Sequence, residues 1–316
     1  MKKLLITRDM PVATVAAARE RYDVTHRQAD VGLTVEEAGQ ALRDYDAVLC
    51  TLGDGFTAQA FAGDLRCGVI ANFGVGFNHI DIDAAGAADI AVSNTPDVVT
   101  DATADIALTL ILATCRRVGE GERLVRAGKW DGWGPTQMLG QHVTGKTVGI
   151  IGMGRIGQAV AKRCHYGFDM PVIYFNRSRK AVDMPATQVD SLADLMGQAD
   201  IIVVTVPGGG ANTKLIDATA IAAMRPHGVI VNVARGDVLD EEALIAALQA
   251  NKIGGAGLDV YAAEPHVPDA LKALDNAVLL PHLGTAALEV REAMGQMALN
   301  NIIAWDEKRA LPNRLA

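Results

Sequence analysis

The sequence predicts an α/β protein made of two doubly wound parallel-sheet domains with an interdomain cleft, and three observations carry that expectation. Short runs of branched apolar residues alternate with helical patterns in two separate series along the chain. The second series opens on a buried-looking strand that runs into Gly-x-Gly-x-x-Gly and on into an apolar helix. Half of the 316 residues are hydrophobic and only 4% are aromatic, which suits closely packed helices and strands, and the length accommodates about two domains with a core each.

The first series begins with a strand over Leu4 to Thr7 and an alanine-rich helix over Val12 to Tyr22. Asp23-Val24-Thr25 gives a second strand, followed by a helix from Thr34 to Tyr45, a strand from Ala47 to Thr51, a short helix near Thr57 to Ala62 and a strand over Gly68 to Asn72. A helix near Ile82 to Ala88 and a strand from Ile90 to Ser93 complete it. Helices between successive strands imply parallel pairing, since parallel neighbours need a crossover, and the unit reads as an open, flavodoxin-like domain. Thr95-Pro96-Asp97 is a stop signal, after which one long apolar helix is expected from Asp101 to about Arg126. Gly128 to Gly145 has two tryptophans and no periodicity, and is longer than an ordinary connection.

The second series has strands over Thr147 to Ile151, Val172 to Phe175, Ile201 to Val206, Gly228 to Val233, Gly255 to Leu258 and Ala277 to Leu280. The clearest helix between them is Glu241 to Gln249, whose start carries Asp240, Glu241 and Glu242, the charge that a helix N-terminus favours. At its head, Gly152 allows a tight turn, Gly154 the close approach of a pyrophosphate, and Gly157 close packing of helix on strand. This is a Rossmann, dinucleotide-binding domain. A tail helix from Ala287 to Trp305 follows.

The cofactor preference is read at the end of the next strand. Dinucleotide sites that take NAD place an acid there to accept the ribose hydroxyls, whereas here Asn176-Arg177-Ser178-Arg179-Lys180 follows Phe175. No carboxylate repels a 2′-phosphate, and a charge pair at about 4 Å is worth roughly 1 kcal/mol in water and roughly 4 at an effective dielectric of 20. The expectation is NADP, with NAD less favoured.

A formal net charge of -8 argues against nucleic acid or an anionic membrane surface as partner, because no broad cationic field is available. Cys50, Cys67, Cys115 and Cys164 are scattered without metal-ligand spacing, so neither a zinc site nor a disulfide framework is expected. The apolar run after Lys2-Lys3 ends at Arg8-Asp9, too short for a signal peptide, and no segment reaches transmembrane length, so a cytoplasmic protein is expected.

Three stretches lie past the carboxyl ends of strands, where open α/β sheets bind ligands: Val233-Ala234-Arg235-Gly236-Asp237, Asp259-Val260-Tyr261-Ala262-Ala263-Glu264, and Pro281-His282-Leu283-Gly284. Singly, each has an ordinary structural explanation. Together they supply what reduction of a 2-oxo acid requires: an arginine to hold the carboxylate, a histidine to protonate the carbonyl oxygen as hydride arrives, and a carboxylate to orient the histidine.

With Asn72-Phe73-Gly74-Val75-Gly76-Phe77-Asn78-His79-Ile80-Asp81, Thr100-Asp101-Ala102-Thr103-Ala104-Asp105 and Gly149-Ile150-Ile151-Gly152-Met153-Gly154-Arg155-Ile156-Gly157-Gln158 in the same order, the chain resembles the D-2-hydroxyacid dehydrogenase family, and most closely its glyoxylate/hydroxypyruvate reductase branch. The resemblance implies Arg235, Glu264 and His282 as catalytic residues. It implies a substrate pocket of Leu52, Arg235 and the backbone amides of Val75 and Gly76, and a homodimer in which Trp133 reaches the neighbouring subunit's site. The implied cofactor-binding set is Thr103, Gly152, Gly154, Arg155, Ile156, Gly157, Asn176, Arg177, Ser178, Arg179, Val206, Pro207, Thr213, Val233, Ala234, Asp259, His282 and Gly284, with Asp259 on the nicotinamide carboxamide. Because the tail helix of this family returns to the first domain, a substrate domain of residues 1–97 plus 288–316 and a dinucleotide-binding domain of 98–287 are expected.

Gly208-Gly209-Gly210 departs from the family's more usual Leu-Thr pair at this point. The expected activity is NADPH-dependent reduction of a small 2-oxo acid such as glyoxylate or hydroxypyruvate. A dehydrogenase for a larger 2-oxo acid is the second reading. A nucleotide-sensing scaffold is the third, since C-terminal-binding-protein corepressors resemble the same family and keep its Arg, Glu and His.

Overall fold

The structure, a computed structural model, describes residues 1–315. It divides into two compact units, Met1–Val99 with the chain from Thr285 onward, and Thr100–Gly284. In the first unit the order is β1 (Lys3–Ile6), α1 (Val12–Arg19), β2 (Asp23–His26), α2 (Val35–Asp44), β3 (Ala47–Thr51), β4 (Val69–Phe73), α3 (Ile82–Ala87) and β5 (Ala91–Ser93). The strands form a parallel sheet in the order β2-β1-β3-β4-β5. Successive strand residues point to opposite faces. Leu4, Ile6, Leu49 and Ala71 therefore enter one core, and Leu5, Val48, Cys50 and Ile70 the other.

Local chemistry sets the helix ends in this unit. Thr34 caps α2, its hydroxyl accepting the Glu37 amide at 3.2 Å while the Glu37 carboxylate accepts the Thr34 amide at 2.8 Å. The short helix expected near Thr57 to Ala62 is a 3-10 turn over Ala58–Phe61.

The second unit runs α4 (Thr100–Cys115), α5 (Val118–Arg126), β6 (Val148–Ile151), α6 (Arg155–Phe168), β7 (Val172–Phe175), β8 (Thr187–Gln188), α7 (Leu192–Gln198), β9 (Ile201–Val204), α8 (Ala218–Ala222), β10 (Val229–Asn232), α9 (Glu241–Gln249), β11 (Gly255–Leu258), α10 (Asp269–Lys272) and β12 (Ala277–Leu279). All its strands are parallel, in the order β12-β11-β10-β9-β6-β7-β8. The sheet order reverses between β6 and β9, the switch point at which open α/β sheets bind ligands. Every residue of β6, β9, β10 and β11 is buried, as a sheet covered on both faces requires.

Two expectations are corrected here. The single helix from Asp101 to Arg126 is two, because Arg117 takes a left-handed φ of 53° that ends one helix and starts another. The two-residue strand β8 was not anticipated; it pairs with β7 through Ile173 and Tyr174 and is too short to leave a periodic signal.

Helix α11 (Leu288–Asp306) closes the chain's return to the first unit, where Met294, Ala298, Leu299 and Ile302 join the core of Leu4, Ile6 and Phe73. Burying a side chain the size of Leu299 is worth about 1.5–3 kcal/mol, so α11 belongs to that unit energetically despite its distance in sequence.

Candidate active site

In the second unit, Arg235, Glu264 and His282 each follow a strand of the sheet: Arg235 after β10, Glu264 after β11 and His282 after β12. The His282 Nδ1–H donates to Glu264 Oε2 at 2.8 Å. The other Glu264 oxygen, Oε1, accepts the Tyr261 amide at 3.0 Å. Burial works to raise the Glu264 pKa, but the hydrogen bond and charge of His282, the Tyr261 amide and the Arg235 charge outweigh it and hold the carboxyl below its ordinary range. An ionised Glu264 accepts only, so Nδ1 carries a proton and Nε2 is the ring nitrogen available to a reacting group.

The turn that carries His282 is fixed by Asp259, which is 1% exposed. Its Oδ1 accepts the Leu283 amide at 2.6 Å and its Oδ2 the Gly284 amide at 2.8 Å, while the Thr103 hydroxyl donates to the Gly284 carbonyl at 3.2 Å. Burial raises the Asp259 pKa, the two amides working against it. His282 takes a left-handed φ of 55°, a conformation such a turn must hold in place. Asp259 thus serves the histidine turn directly, a role that its sequence position did not disclose.

Arg235 is pushed below its usual pKa by burial, with Glu264 and Asp237 raising it again. Its guanidinium donates to the Ala234 carbonyl at 2.7 Å. The backbone around it is tied by Asn232, fully buried at the end of β10, whose side chain donates to the Arg235 carbonyl at 3.0 Å and accepts the Ala234 amide at 3.0 Å. Asn232, Tyr261 and Asp237 were not singled out from sequence; a buried asparagine closing an apolar strand was the available signal.

The glycine loop meets the demands of a dinucleotide. Gly152 has φ 99°, and a Cβ there would stand 2.7 Å from Val206 Cγ1. At Gly157 a Cβ would collide with the Gly152 carbonyl, whereas at Gly154 it would meet nothing within 4 Å. The open side of the loop is therefore at the glycine expected to face the pyrophosphate, and Gly154 caps α6 with no side chain of its own. Asn176 folds back on the Ser178 carbonyl at 2.7 Å, and the Gln188 amide donates to the Asn176 carbonyl at 3.0 Å. Arg177, Ser178, Arg179 and Lys180 are exposed, and none of the three cations forms an ion pair among the described residues. Val206, Pro207 and Thr213 border the turn after β9, and Val233 and Ala234 are buried beside Arg235.

In the first unit, the loop after β4 is knit through its carbonyls. Asn72 donates to the Gly74 and Gly76 carbonyls at 3.0 and 2.9 Å, and Asn94 to the Val75 carbonyl at 2.9 Å. The Val75 and Gly76 amides have no acceptor among the described residues, and Leu52 and Val75 are exposed. Trp133 is 82% exposed, left largely uncovered by the described residues of its own chain. Among the described residues no group of His, Cys, Asp and Glu could hold a metal, and no helix is long and apolar enough to cross a membrane.

Residues 108–284 match the family described as D-isomer specific 2-hydroxyacid dehydrogenase, NAD binding domain. The chain belongs to the D-isomer specific 2-hydroxyacid dehydrogenase family. It is 38% identical to a glyoxylate reductase of Pyrococcus furiosus over 96% of this chain and 92% of that protein. A crystal structure from Polaromonas sp. JS6 66 superposes with a TM-score of 0.94 at 37% identity, covering all of both chains. An NADPH-dependent glyoxylate/hydroxypyruvate reductase of Sinorhizobium meliloti, solved with NADP and malonate, gives 0.89 at 31% identity over 100% of this chain and 97% of that one. As a 2-hydroxyacid dehydrogenase the chain is an oxidoreductase, and its two parallel-sheet units are the fold of that family.

Proposed function

We propose that this protein reduces a small 2-oxo acid, glyoxylate or hydroxypyruvate, to the D-2-hydroxy acid with NADPH, His282 acting as general acid. The observation that carries the reading is the His282 Nδ1 to Glu264 Oε2 hydrogen bond of 2.8 Å, with the charge of the half-buried Arg235 acting on the same carboxylate. Arg235 binds the substrate carboxylate, a pairing that desolvation strengthens. In the first unit, the Val75 and Gly76 amides have no acceptor among the described residues, which supports the anion-donor role that the family resemblance implies for them.

A bound nicotinamide supplies the hydride. The residues fit such a cofactor: Gly154 presents an open backbone, and Arg177 and Arg179, which no carboxylate among the described residues engages, would meet a 2′-phosphate together with Ser178. His282 gives its Nε2 proton to the carbonyl oxygen as negative charge develops there, and Glu264 stabilises the protonated imidazole and keeps its tautomer. Asp259 and Thr103 hold the turn so that Nε2 keeps its aim. The Sinorhizobium reductase, with NADP bound, supports the cofactor reading. Trp133 is proposed to lie in a homodimer contact, where its exposed indole would be covered.

The test is a steady-state panel of kcat/KM for NADPH and NADH against glyoxylate, hydroxypyruvate, pyruvate and phenylpyruvate. NADPH with the two small acids is expected to lead. An NADH preference overturns the reading of Asn176 to Lys180, and background rates throughout, with intact nucleotide binding, overturn the reductase.

A further inference from the structure

The turn that follows β9 has a relation to Arg235 that the mechanism above leaves unused. Gly209 and Gly210 take φ of 76° and 53°, backbone that glycine adopts without steric cost. A Cβ on Gly208 would stand 2.7 Å from Arg235 Cγ, 2.8 Å from Arg235 Cβ and 2.7 Å from Asp237 Oδ1. Real side chains do not approach so closely, so the bare backbone of Gly208 is what leaves room for the stem of the arginine.

Asp237 closes this arrangement. Its Oδ2 accepts the Gly209 amide at 2.7 Å, and its backbone carbonyl accepts the Lys214 amide at 2.7 Å. It also faces Arg235 electrostatically, in the same sense as Glu264. Glu264 already has both oxygens engaged, by His282 and Tyr261. Arg235 makes one side-chain hydrogen bond among the described residues, to the Ala234 carbonyl, and no ion pair. A half-buried guanidinium so lightly held depends on the packing around its stem and on the charge that faces it.

We infer that Gly208 and Asp237 are positioning residues for Arg235: Gly208 by leaving space for its stem, Asp237 by pinning the glycine turn and by facing the cation. The inference rests on the reading of Arg235 as the carboxylate-binding group. One carboxylate thereby anchors both the turn between Pro207 and Thr213 and the arginine that receives the 2-oxo acid. The device acts on binding of the acid and on no chemical step.

Oxamate, an unreactive analogue of a 2-oxo acid, is titrated by calorimetry into the protein saturated with reduced cofactor, for wild type, Gly208→Ala, Asp237→Ala, Asp237→Asn and Arg235→Ala. Both alanine variants at 208 and 237 should weaken oxamate about tenfold or more and raise KM for the 2-oxo acid in proportion, with kcat and cofactor Kd within about threefold. Asp237→Asn, which keeps an oxygen for the Gly209 amide, should recover part of the loss at unchanged melting temperature. Wild-type oxamate affinity in Gly208→Ala and Asp237→Ala overturns the inference. So does a loss spread evenly over oxamate, cofactor and melting temperature in all the Asp237 variants, since that marks a turn needed only for folding. In either case loss of oxamate binding in Arg235→Ala leaves the substrate reading standing. Oxamate binding that survives in Arg235→Ala overturns both.

Discussion

Glu264→Gln isolates what the carboxylate does for His282, because it keeps the shape and removes the charge. Glu264 receives two donors, His282 Nδ1–H on one oxygen and the Tyr261 amide on the other. Glutamine has one acceptor oxygen, so in either amide orientation an NH2 group faces a donor. If it faces His282, the imidazole must expose a lone pair at Nδ1 and can no longer be held protonated on both nitrogens. A hydrogen bond to a charged group contributes about 1.5–3 kcal/mol, or roughly 10- to 150-fold in rate. With side chains 32% and 27% exposed, solvent screening puts the effect toward the lower half of that range. We expect kcat for glyoxylate reduction to fall roughly 10- to 50-fold and its pH profile to differ from that of wild type. The assay is the pH dependence of kcat and kcat/KM followed by cofactor absorbance, with cofactor Kd measured alongside. A variant within twofold of wild type and with the same pH profile would refute the role of Glu264.

Two further predictions concern the dinucleotide unit. Gly154→Ala should leave the melting temperature unchanged, since its Cβ meets open space, yet weaken cofactor binding. Gly157→Ala should destabilise by roughly 1–3 kcal/mol through overpacking against the Gly152 carbonyl; calorimetry and cofactor titration separate the two, and equal behaviour would contradict the assigned positions. Asp200 accepts the Thr147 amide at 2.9 Å, Arg225 at 2.7 Å and His227 at 2.8 Å. Burial opposes its ionisation, but these partners outweigh burial and depress its pKa. A depressed carboxyl stabilises above its unfolded pKa, so the stability gap between wild type and Asp200→Ala, about 2–3 kcal/mol at neutral pH, should be constant down to about pH 4 and close below it as Asp200 protonates. A gap unchanged at low pH would show that charge is not its source.

Much of the architecture was legible because it follows from short-range rules. The apolar runs of β6, β9, β10 and β11 are buried on both faces, so they read as continuous hydrophobic segments. The Thr34 and Asp240 caps read as helix starts for the same reason, since the bonds that make them lie within three residues. The break at Arg117 did not read, because an arginine with positive φ has no compositional mark. Nor did β8, whose two residues pair only because β7 lies next to them.

By itself, the sequence determined the two parallel-sheet units, the glycine loop at Gly152 to Gly157 and the candidacy of Arg235, Glu264 and His282, since each lies at a strand end that local pattern fixes. Tertiary structure alone decided that His282 and Glu264 share a hydrogen bond, that Asp259 holds the Leu283 and Gly284 amides, and that Gly208 gives way to Arg235. Those relations join residues 18 to 27 positions apart in sequence. Their distances depend on where β9 to β12 sit side by side in the sheet, which no local pattern encodes.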